Sequence, residues 1–246
     1  MRKIVFAFCI LSLVICGCTK KEEPRIVKVA VCPTSPPNMF EENGKYQGLD
    51  LEIFEGFCKA RGYQSRITAY DWQGMLGAVI SGQADVAFSG ISITEQRKEK
   101  LDFSEAYMDN TWNLVSLKSR NIVIKDIGEL KKYSIGYPRG MAYSAFIKDN
   151  LEPKGIYRLS AVKMYPTYNE VLADLQNGNL DLAFLDGSVA GAYKKKIDIL
   201  DSYVFTGFDT FGFAFPKGSP LRADFDRYMK ELGPEKLKAL IGKWMG

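Results

Sequence analysis

The sequence predicts an α/β protein made of two similar lobes, and two observations carry this prediction. Amphipathic helical segments alternate along the chain with short, almost wholly apolar runs, the pattern of strands buried between two layers of helices. The chain also contains an internal repeat, because residues 72–90 align without gaps with residues 168–186. Any two helix–strand units look somewhat alike, but here a glycine, an aspartate and an Ala-Phe pair coincide as well. The repeat therefore favours two related lobes whose strand ends face one cleft.

The first repeat unit begins at Asp71, whose side chain is a suitable N-cap for the helix that follows. Apolar residues then recur at helical spacing until Gly82, where a left-handed C-terminal cap is expected. Residues 84–89 predict a buried strand, and residues 89–94 predict a polar loop that leads into a second helix carrying Arg97. Ligands of open α/β sheets bind beyond the carboxyl ends of strands. The hydroxyls, backbone groups and guanidinium gathered at this strand end are therefore suited to a small carboxylate.

The remaining elements follow from the same signals: apolar runs predict strands, and amphipathic runs bounded by glycine or proline predict helices. Further strands are predicted at residues 26–32, 63–69, 113–117, 133–137, 203–205 and 211–215. Further helices are predicted at residues 50–61, 189–195, 219–232 and 234–244, with another starting within 138–144. The chain is expected to cross between the lobes twice, so that lobe one comprises residues 26–112 and 211–246, and lobe two residues 113–210.

Residues 1–25 are predicted to be a targeting segment and tether rather than part of the fold. Two basic residues precede an apolar run at residues 4–15 that is too short to span a membrane comfortably. Gly17-Cys18 after this run resembles a bacterial lipobox, so Cys18 is the expected site of lipidation; an ordinary secretory signal is the alternative. The mature protein is thus expected to be exported and lipid-anchored to the cell membrane, facing the periplasm or the cell exterior.

Composition argues against several other classes of protein. The chain carries a net charge of +4, half of which leaves with Arg2 and Lys3, so nothing indicates a nucleic-acid partner. It has no histidine, and only Cys32 and Cys58 remain after the targeting segment, without CxxC spacing. We therefore expect no metal site and no cofactor. The sequence leaves open whether these two cysteines form a disulfide, as an exported protein permits, or are small core residues.

Three ordered motifs give the chain a specific resemblance to a known family. They are Asp71-Trp72 followed by Gly82 and Asp85, the run S-G-I-S-I-T-E-Q-R at residues 89–97, and the run D-F-S-E-A-Y at residues 102–107. The chain resembles the extracellular solute-binding proteins of the polar amino acid family (family 3), which have the periplasmic binding protein type II fold. The resemblance implies a substrate-binding lipoprotein of an ABC importer. Such a protein is a monomer whose two hinged lobes capture an amino acid and deliver it to permease subunits in the membrane.

The resemblance also assigns roles to individual residues. It implies that Arg97 holds the ligand's α-carboxylate through two charge-assisted hydrogen bonds, whereas outside the motif Arg97 would be an ordinary surface residue. Asp186 would bind the α-ammonium from lobe two, its alternative role being to cap the helix that follows. Trp72 would stack on the ligand side chain or simply belong to the core. The other implied ligand contacts are Ser89, Gly90, Ser92, Thr94, Asn38, Met141, Ala142 and Tyr143.

Two departures from the family pattern bear on the ligand. Lobe two carries Gly140-Met141-Ala142 where the family places hydroxyls, which leaves backbone N–H groups at a helix start for the carboxylate. Cys32 stands where the family often has an acid that pairs with basic side chains. Because burying an unpaired charge is costly, we expect an uncharged amino acid, polar or moderately apolar, rather than arginine, lysine or glutamate.

The expected side-chain pocket combines apolar and polar groups. Trp72 and Met39 would form its apolar wall, with Asn38 or Tyr143 as polar partners. A glutamate ligand would need a second cation, for which Arg139 is the visible candidate. The acids that would overturn this expectation by reaching the pocket are Glu41, Glu42 and Asp209.

Two other classes of function stay open. The resemblance extends to cyclohexadienyl dehydratases, which eliminate water and CO2 from prephenate or arogenate and need a general acid in the cleft. Asp186 is better explained by an ammonium group, and without histidine no nucleophile–base pair is visible, so no catalytic residue is assigned. A receptor or sensor subunit is the third interpretation, but we find no apolar segment after Trp244 that would carry a signal across a membrane.

Overall fold

The computed structural model describes residues 24–246, which form an α/β fold with one large sheet and one small one. The strands are β1 Ile26–Val31, β2 Thr34–Ser35, β3 Met39–Glu42, β4 Lys45–Gln47, β5 Gln64–Ala69, β6 Val86–Ser92, β7 Leu101–Phe103, β8 Met108–Leu117, β9 Ile135–Pro138, β10 Lys163–Tyr165, β11 Leu182–Asp186 and β12 Ile199–Pro216. The α-helices are α1 Leu49–Arg61, α2 Trp72–Ile80, α3 Glu95–Lys98, α4 Tyr143–Phe146, α5 Tyr168–Gln176, α6 Gly187–Lys194, α7 Pro220–Leu232 and α8 Pro234–Met245. Short 3-10 turns lie at Lys118–Arg120, Ile127–Lys132 and Leu159–Ala161, and a π turn at Ile147–Leu151 extends α4.

The large sheet has a parallel group of strands at each end and an antiparallel pair in the middle. At one end β1 pairs in parallel with β5 and β6, and at the other β9 pairs in parallel with β10 and β11. We call these ends, with their helices, lobe one and lobe two. The long strands β8 and β12 pair with each other between them, and each also pairs with a strand of one lobe. These two strands are therefore the connection between the lobes within the sheet.

The internal repeat predicted from the sequence is confirmed element by element. Helices α2 and α5 begin and end at corresponding positions, and so do the starts of β6 and β11. Both helices are capped locally: Asp71 accepts a hydrogen bond from the Gly74 amide at 2.6 Å, and Thr167 forms a capping box. Matching signals in the sequence thus produce matching units in the two lobes.

The central strands are longer than the sequence predicted. Residues 89–92, expected to be a loop, continue the buried strand β6; the segments 203–205 and 211–215 are parts of the single strand β12; and β8 starts five residues before Asn113. Polar residues such as Asp109 and Asn110 interrupt the apolar pattern from which the strands were predicted. They are nevertheless part of the ladder, because Asn110 pairs with Asp209 between β8 and β12. The loop expected at residues 33–39 contains β2 and the first residue of β3.

The two cysteines of the described chain are both buried free thiols. Cys32 follows β1 and Cys58 lies in α1, so the interpretation that they are small core residues is confirmed, and they do not form a disulfide. Cys18 lies outside the described residues. Between residues 24 and 246 no helix is long and apolar enough to cross a membrane.

Candidate functional site

Predicted site residues of both lobes meet where β6 and β11 end. Gly90 lies near the end of β6, and Asp186 is the last residue of β11. Trp72 and Tyr168, which occupy equivalent positions of the repeat, meet edge to face across the cleft with ring centroids 6.5 Å apart. The two repeat units therefore face each other, as the alignment indicated.

Arg97 crosses the cleft. The hydroxyl of Thr94 caps α3 by accepting a hydrogen bond from the Arg97 amide at 3.2 Å, which fixes the backbone of Arg97. The residue is half-buried as a whole, but its guanidinium is buried and donates to the carbonyl of Ser92 at 2.7 Å and to that of Gly140, in lobe two, at 3.0 Å. Burial lowers the pKa of Arg97, while the charges of Asp186 and Asp209 act in the opposite direction. A fixed cation therefore lies between the lobes.

Asp186 is a buried carboxylate held by neutral donors. It is 1% exposed and accepts hydrogen bonds at 2.9 Å from the amide of Asn110 and from the hydroxyls of Tyr143 and Tyr168. Burial, aided by the charge of Asp209, raises the pKa of Asp186 to about 7. Its side chain makes no capping bond to α6, so the alternative role proposed from the sequence is wrong.

A second buried carboxylate, Asp209, lies beside the first. It accepts hydrogen bonds from Ser92 at 3.1 Å, from Asn110 at 2.6 Å and from the Trp112 indole at 2.7 Å. The Asn110 amide nitrogen on β8 donates to both carboxylates and so joins β8 to β11 and β12, while Ser92 of β6 is linked to this cluster through Asp209. Burial raises the pKa of Asp209 as well. From the sequence, Asp209 was expected only as an acid that could reach the pocket, and Asn110 was not among the expected site residues.

Gly90 adopts a backbone conformation that suits glycine, with φ +69°. A Cβ there would lie 2.7 Å from the side-chain nitrogen of Asn38. Its amide donates to Asp50 at 2.7 Å, and Asp50 also accepts from the Tyr107 hydroxyl at 2.5 Å. Asp50, which the sequence marked only as part of a helix start, thus holds the strand end that carries Gly90.

The predicted hydroxyl contacts of lobe one are occupied within the protein. Ser89 accepts from the Cys32 amide at 2.9 Å and donates to the Phe88 carbonyl, while Ser92 donates to Asp209. The Thr94 hydroxyl caps α3. Lobe one therefore offers a ligand chiefly the guanidinium and backbone groups of this segment.

In lobe two the predicted loop residues lie against Asp186. Met141 and Ala142 are buried, and the sulfur of Met141 lies 4.0 Å from the Tyr168 hydroxyl. Tyr143 stacks on Phe184 with centroids 4.2 Å apart, which directs its hydroxyl to Asp186. Burial raises the pKa of Tyr143 and Tyr168 well above the usual value, so both hydroxyls stay protonated and can donate. Tyr168 was not among the site residues expected from the sequence, although its equivalence to Trp72 in the repeat pointed to it.

Asn38 and Trp72 complete the wall of lobe one. Both are fully buried, and the Asn38 amide reaches across the cleft to donate to the Ser188 hydroxyl at 2.8 Å. A cavity of about 500 Å³ is lined by Ser188, Phe40 and Trp244, among others. Neither Arg97 nor Asp186 lines it, so it is separate from the charges suited to an amino acid.

Known proteins resemble this chain over nearly its whole length. The L-cystine-binding protein TcyJ of Escherichia coli K12 is 28% identical, with 92% of this chain and 85% of that protein covered. The arginine-binding extracellular protein ArtP of Bacillus subtilis 168 is 25% identical, with 98% and 96% covered. Among solved structures, an ancestral arginine-binding protein bound to arginine superposes with a TM-score of 0.80 at 28% identity, covering 90% of this chain and 98% of that chain.

A further structure has a bound amino acid. An ABC uptake transporter substrate-binding protein of Streptococcus pneumoniae with bound histidine superposes with a TM-score of 0.79 at 25% identity, covering 89% of this chain and 92% of that one. The model of one protein family matches residues 27–246, which include every element described above except the first residue of β1. The two-lobe fold and the family expected from the motifs are thereby confirmed: the chain belongs to the bacterial extracellular solute-binding proteins, family 3.

Proposed function

We propose that this protein captures a free amino acid between its lobes and delivers it to the permease of an ABC importer. The observation that carries the proposal is the pairing of a buried guanidinium, Arg97, with a buried carboxylate, Asp186, in one cleft. Opposite charges at the two ends of a small site complement the α-carboxylate and α-ammonium of an amino acid. The named relatives bind cystine or arginine, which supports the class of ligand.

Arg97 is the residue that binds the α-carboxylate in this proposal. Each of its two terminal nitrogens donates to one carbonyl and carries a second N–H, which this proposal assigns to the carboxylate. The loop carrying Met141 and Ala142 follows Gly140, whose carbonyl accepts a hydrogen bond from Arg97. Asp186 binds the α-ammonium, with Tyr143 and Tyr168 holding the carboxylate in place.

Closure of the lobes accompanies binding. We place the boundaries at residues 26–112 and 211–246 for lobe one and 113–210 for lobe two, with β8 and β12 as the hinge. Two polar contacts cross the cleft beside the site: Arg97 to Gly140, and Asn38 to Ser188. A ligand that touches both lobes shifts the population toward the closed state, which is the form a permease can recognise.

The ligand is an uncharged amino acid. Cys32 occupies the position from which an acid would pair with a basic side chain, and burial raises its pKa to about 11, so the thiol is neutral. Asp209 reaches the site but already accepts three hydrogen bonds from the protein. Asp71 and Glu170, whose charges act on Cys32, cap α2 and α5. A buried cationic side chain would thus lack an uncommitted buried carboxylate.

A thermal-shift screen against the common amino acids, prephenate and arogenate tests the function. A ligand that binds the native state alone raises the unfolding midpoint as its concentration exceeds Kd. We expect at least one uncharged amino acid to stabilise the protein. Stabilisation by prephenate or arogenate alone, with turnover, would instead support the dehydratase alternative, for which a carboxyl of raised pKa such as Asp186 is suited as general acid.

The anchor is a lipid on Cys18, which keeps the exported protein at the membrane that holds the permease. The basis is the Gly17-Cys18 pair after a short apolar run. In the Cys18→Ser variant, we expect the protein to appear in the soluble exported fraction or to remain as unprocessed precursor. Fractionation of cells, with immunoblotting of each fraction, measures this. Cys58→Ser is the control and should stay at the membrane; a Cys18→Ser protein that does so too would contradict the anchor.

A further inference from the structure

Three buried polar atoms in the side chains of residues 24–246 have no hydrogen-bond partner: Ser35 Oγ, Asn38 Oδ1 and Trp72 Nε1. Buried polar groups in native proteins are almost always paired, because a lost bond to water must be replaced. These three residues are each 0% exposed and all belong to lobe one. Their shared location on the wall that faces lobe two calls for a single explanation.

The Trp72 indole is directed toward the groups that hold the charges of the site. A Cβ built on Gly140 would lie 3.4 Å from Trp72 Cδ1, the ring carbon bonded to Nε1, and Gly140 is the residue whose carbonyl Arg97 contacts. The same indole meets the ring of Tyr168, whose hydroxyl donates to Asp186. The unpaired N–H thus belongs to a ring that lies close to a partner of Arg97, Gly140, and to a partner of Asp186, Tyr168.

The Asn38 amide also contacts lobe two, next to Asp186. Its nitrogen donates to Ser188, two residues after Asp186, and it is the atom that a Cβ on Gly90 would approach. Because the Ser188 hydroxyl can donate as well as accept, a rotated amide would keep this bond and leave its NH2 end free instead. In both orientations one polar end of Asn38 has no partner. Ser35 lies on β2, which packs against α5, the helix that begins at Tyr168.

We propose that these atoms bind the side chain of the ligand and that this side chain ends in a carboxamide, as in glutamine or asparagine. This inference rests on the proposed amino acid-binding function and specifies its ligand. An indole N–H can only donate, so the ligand must present an acceptor to Trp72, and the Asn38 amide and Ser35 hydroxyl need a complementary polar group. A carboxamide supplies one acceptor and two donors without a charge.

Other side chains match this wall less well. An ammonium or guanidinium has no acceptor for Trp72, and with Asn38 in the orientation described a carboxylate has no donor for its Oδ1. A carboxylate would also need a cation, yet Arg139, the candidate named from the sequence, is exposed. An apolar side chain such as that of methionine leaves all three atoms unpaired. Sites built to hydrogen-bond a ligand discriminate strongly against analogues that lack the matching group.

Isothermal titration calorimetry of the wild type with glutamine, asparagine, methionine, glutamate and arginine tests the inference. We expect glutamine or asparagine to bind at least about tenfold more tightly than each of the other three, the ratio that corresponds to about 1.4 kcal/mol. Trp72→Phe keeps an aromatic ring but removes the N–H. It should reduce the preference for the amide over methionine by at least about fivefold while changing the Kd for methionine less than about twofold.

Two further variants separate the outcomes. Asn38→Leu should reduce the amide preference in the same way. Trp244→Phe removes an indole N–H of α8 that donates to Glu52 of α1 instead, and it should leave every Kd unchanged. Equal affinity for methionine, arginine and the amides, or equal losses for all ligands in Trp72→Phe, would overturn the inference and leave the proposed function standing. If no amino acid binds the wild type, the proposed function itself fails, and the inference with it.

Discussion

The two copies of the internal repeat have the same architecture and opposite chemistry. Helices α2 and α5 and the strands that follow them correspond residue by residue. In lobe two the strand ends in Asp186, whose carboxylate accepts bonds from three donors. In lobe one the equivalent position is Gly90, beyond which the strand continues toward Arg97. The comparison shows that the repeat determines where the strand ends lie, while the residues at those ends determine which charge each lobe presents.

The first residues of the two helices also occupy equivalent positions and differ in chemistry. The hydroxyl of Tyr168 in lobe two is bonded to Asp186, whereas the indole N–H of Trp72 in lobe one has no partner. The Asp186 carboxylate of lobe two is thus held by protein donors. In lobe one, by contrast, Ser35, Asn38 and Trp72 each keep a buried polar atom without a partner among the described residues. Selectivity for the ligand side chain should therefore depend on lobe one, and retention of the head group on both.

The largest expected effect is that of Arg97→Ala. Hydrogen bonds to charged groups contribute about 1.5–3 kcal/mol each, so loss of a bidentate contact should weaken binding by roughly 10²–10⁴-fold. Calorimetry with the best amino acid from the screen measures this change. Lys98→Ala, an exposed residue of the same short helix, is the matched control and should bind normally. Affinity close to wild type in Arg97→Ala, with an unchanged unfolding midpoint, would show that the carboxylate binds elsewhere.

The second largest effect on ligand affinity is expected from loss of the Asp186 charge. Unlike the charge of Arg97, this charge should make the affinity depend on pH. With a pKa of about 7 in the ligand-free protein, Asp186 is protonated in mild acid and no longer balances an ammonium. Affinity should fall by roughly tenfold per pH unit below 7. Asp186→Asn should bind about 10–100-fold more weakly at pH 8 and lose this pH dependence. Calorimetry between pH 5 and 8 distinguishes the two proteins, and parallel profiles would exclude Asp186 as the ammonium ligand.

The Asp186 carboxyl should also make the stability of the ligand-free protein depend on pH. Its pKa in the folded state lies above the ordinary value of 3.8, so the folded state holds a proton that the unfolded chain has released. Its contribution to stability therefore decreases as pH rises from about 4 to about 7 and is constant above that range. The difference in unfolding free energy between wild type and Asp186→Asn, from denaturant titrations at several pH values, should follow this course.

Two glycines test whether the close approach of Gly90 to Asn38, at the strand end of lobe one, matters for stability and ligand binding. Gly90 and Gly178 both have a positive φ, but a Cβ on Gly178 meets nothing within 4 Å. Gly178→Ala should cost about 1–2 kcal/mol of unfolding free energy for the left-handed conformation alone. Gly90→Ala should cost more and should also weaken ligand binding, because its methyl group would displace Asn38. Equal losses in chemical denaturation, with unchanged ligand affinity in both, would mean that the close approach to Asn38 is immaterial.

The sequence predicted the helices and strands of the two lobes better than it predicted the contacts of the site. Local signals were sufficient for the repeat, since Asp71, Gly82 and the apolar spacing of α2 act within a few residues of one another. The bridging role of Asn110 could not be predicted, because it depends on the register that sets Asn110 opposite Asp209, far away in the chain. For the same reason β8 and β12 were predicted too short: their polar centre is paired only in the assembled sheet.

The smallest effect predicted is that of Tyr168→Phe. This substitution keeps the aromatic ring of the first residue of α5, which packs against Trp72, and removes its hydroxyl. Its hydroxyl stabilises the ionised form of Asp186, so its removal should raise the pKa of that carboxyl further and move the midpoint of the affinity–pH profile upward. At pH 8 the loss in affinity should be only a few-fold, because Tyr168 contacts Asp186 rather than the ligand in this proposal and acts only through the ionised fraction of that carboxyl. Tyr165→Phe is the control, because its hydroxyl donates to Asp174 instead. A midpoint that stays in place in Tyr168→Phe, or shifts equally in Tyr165→Phe, would mean that Tyr168 packs in the cleft without tuning Asp186.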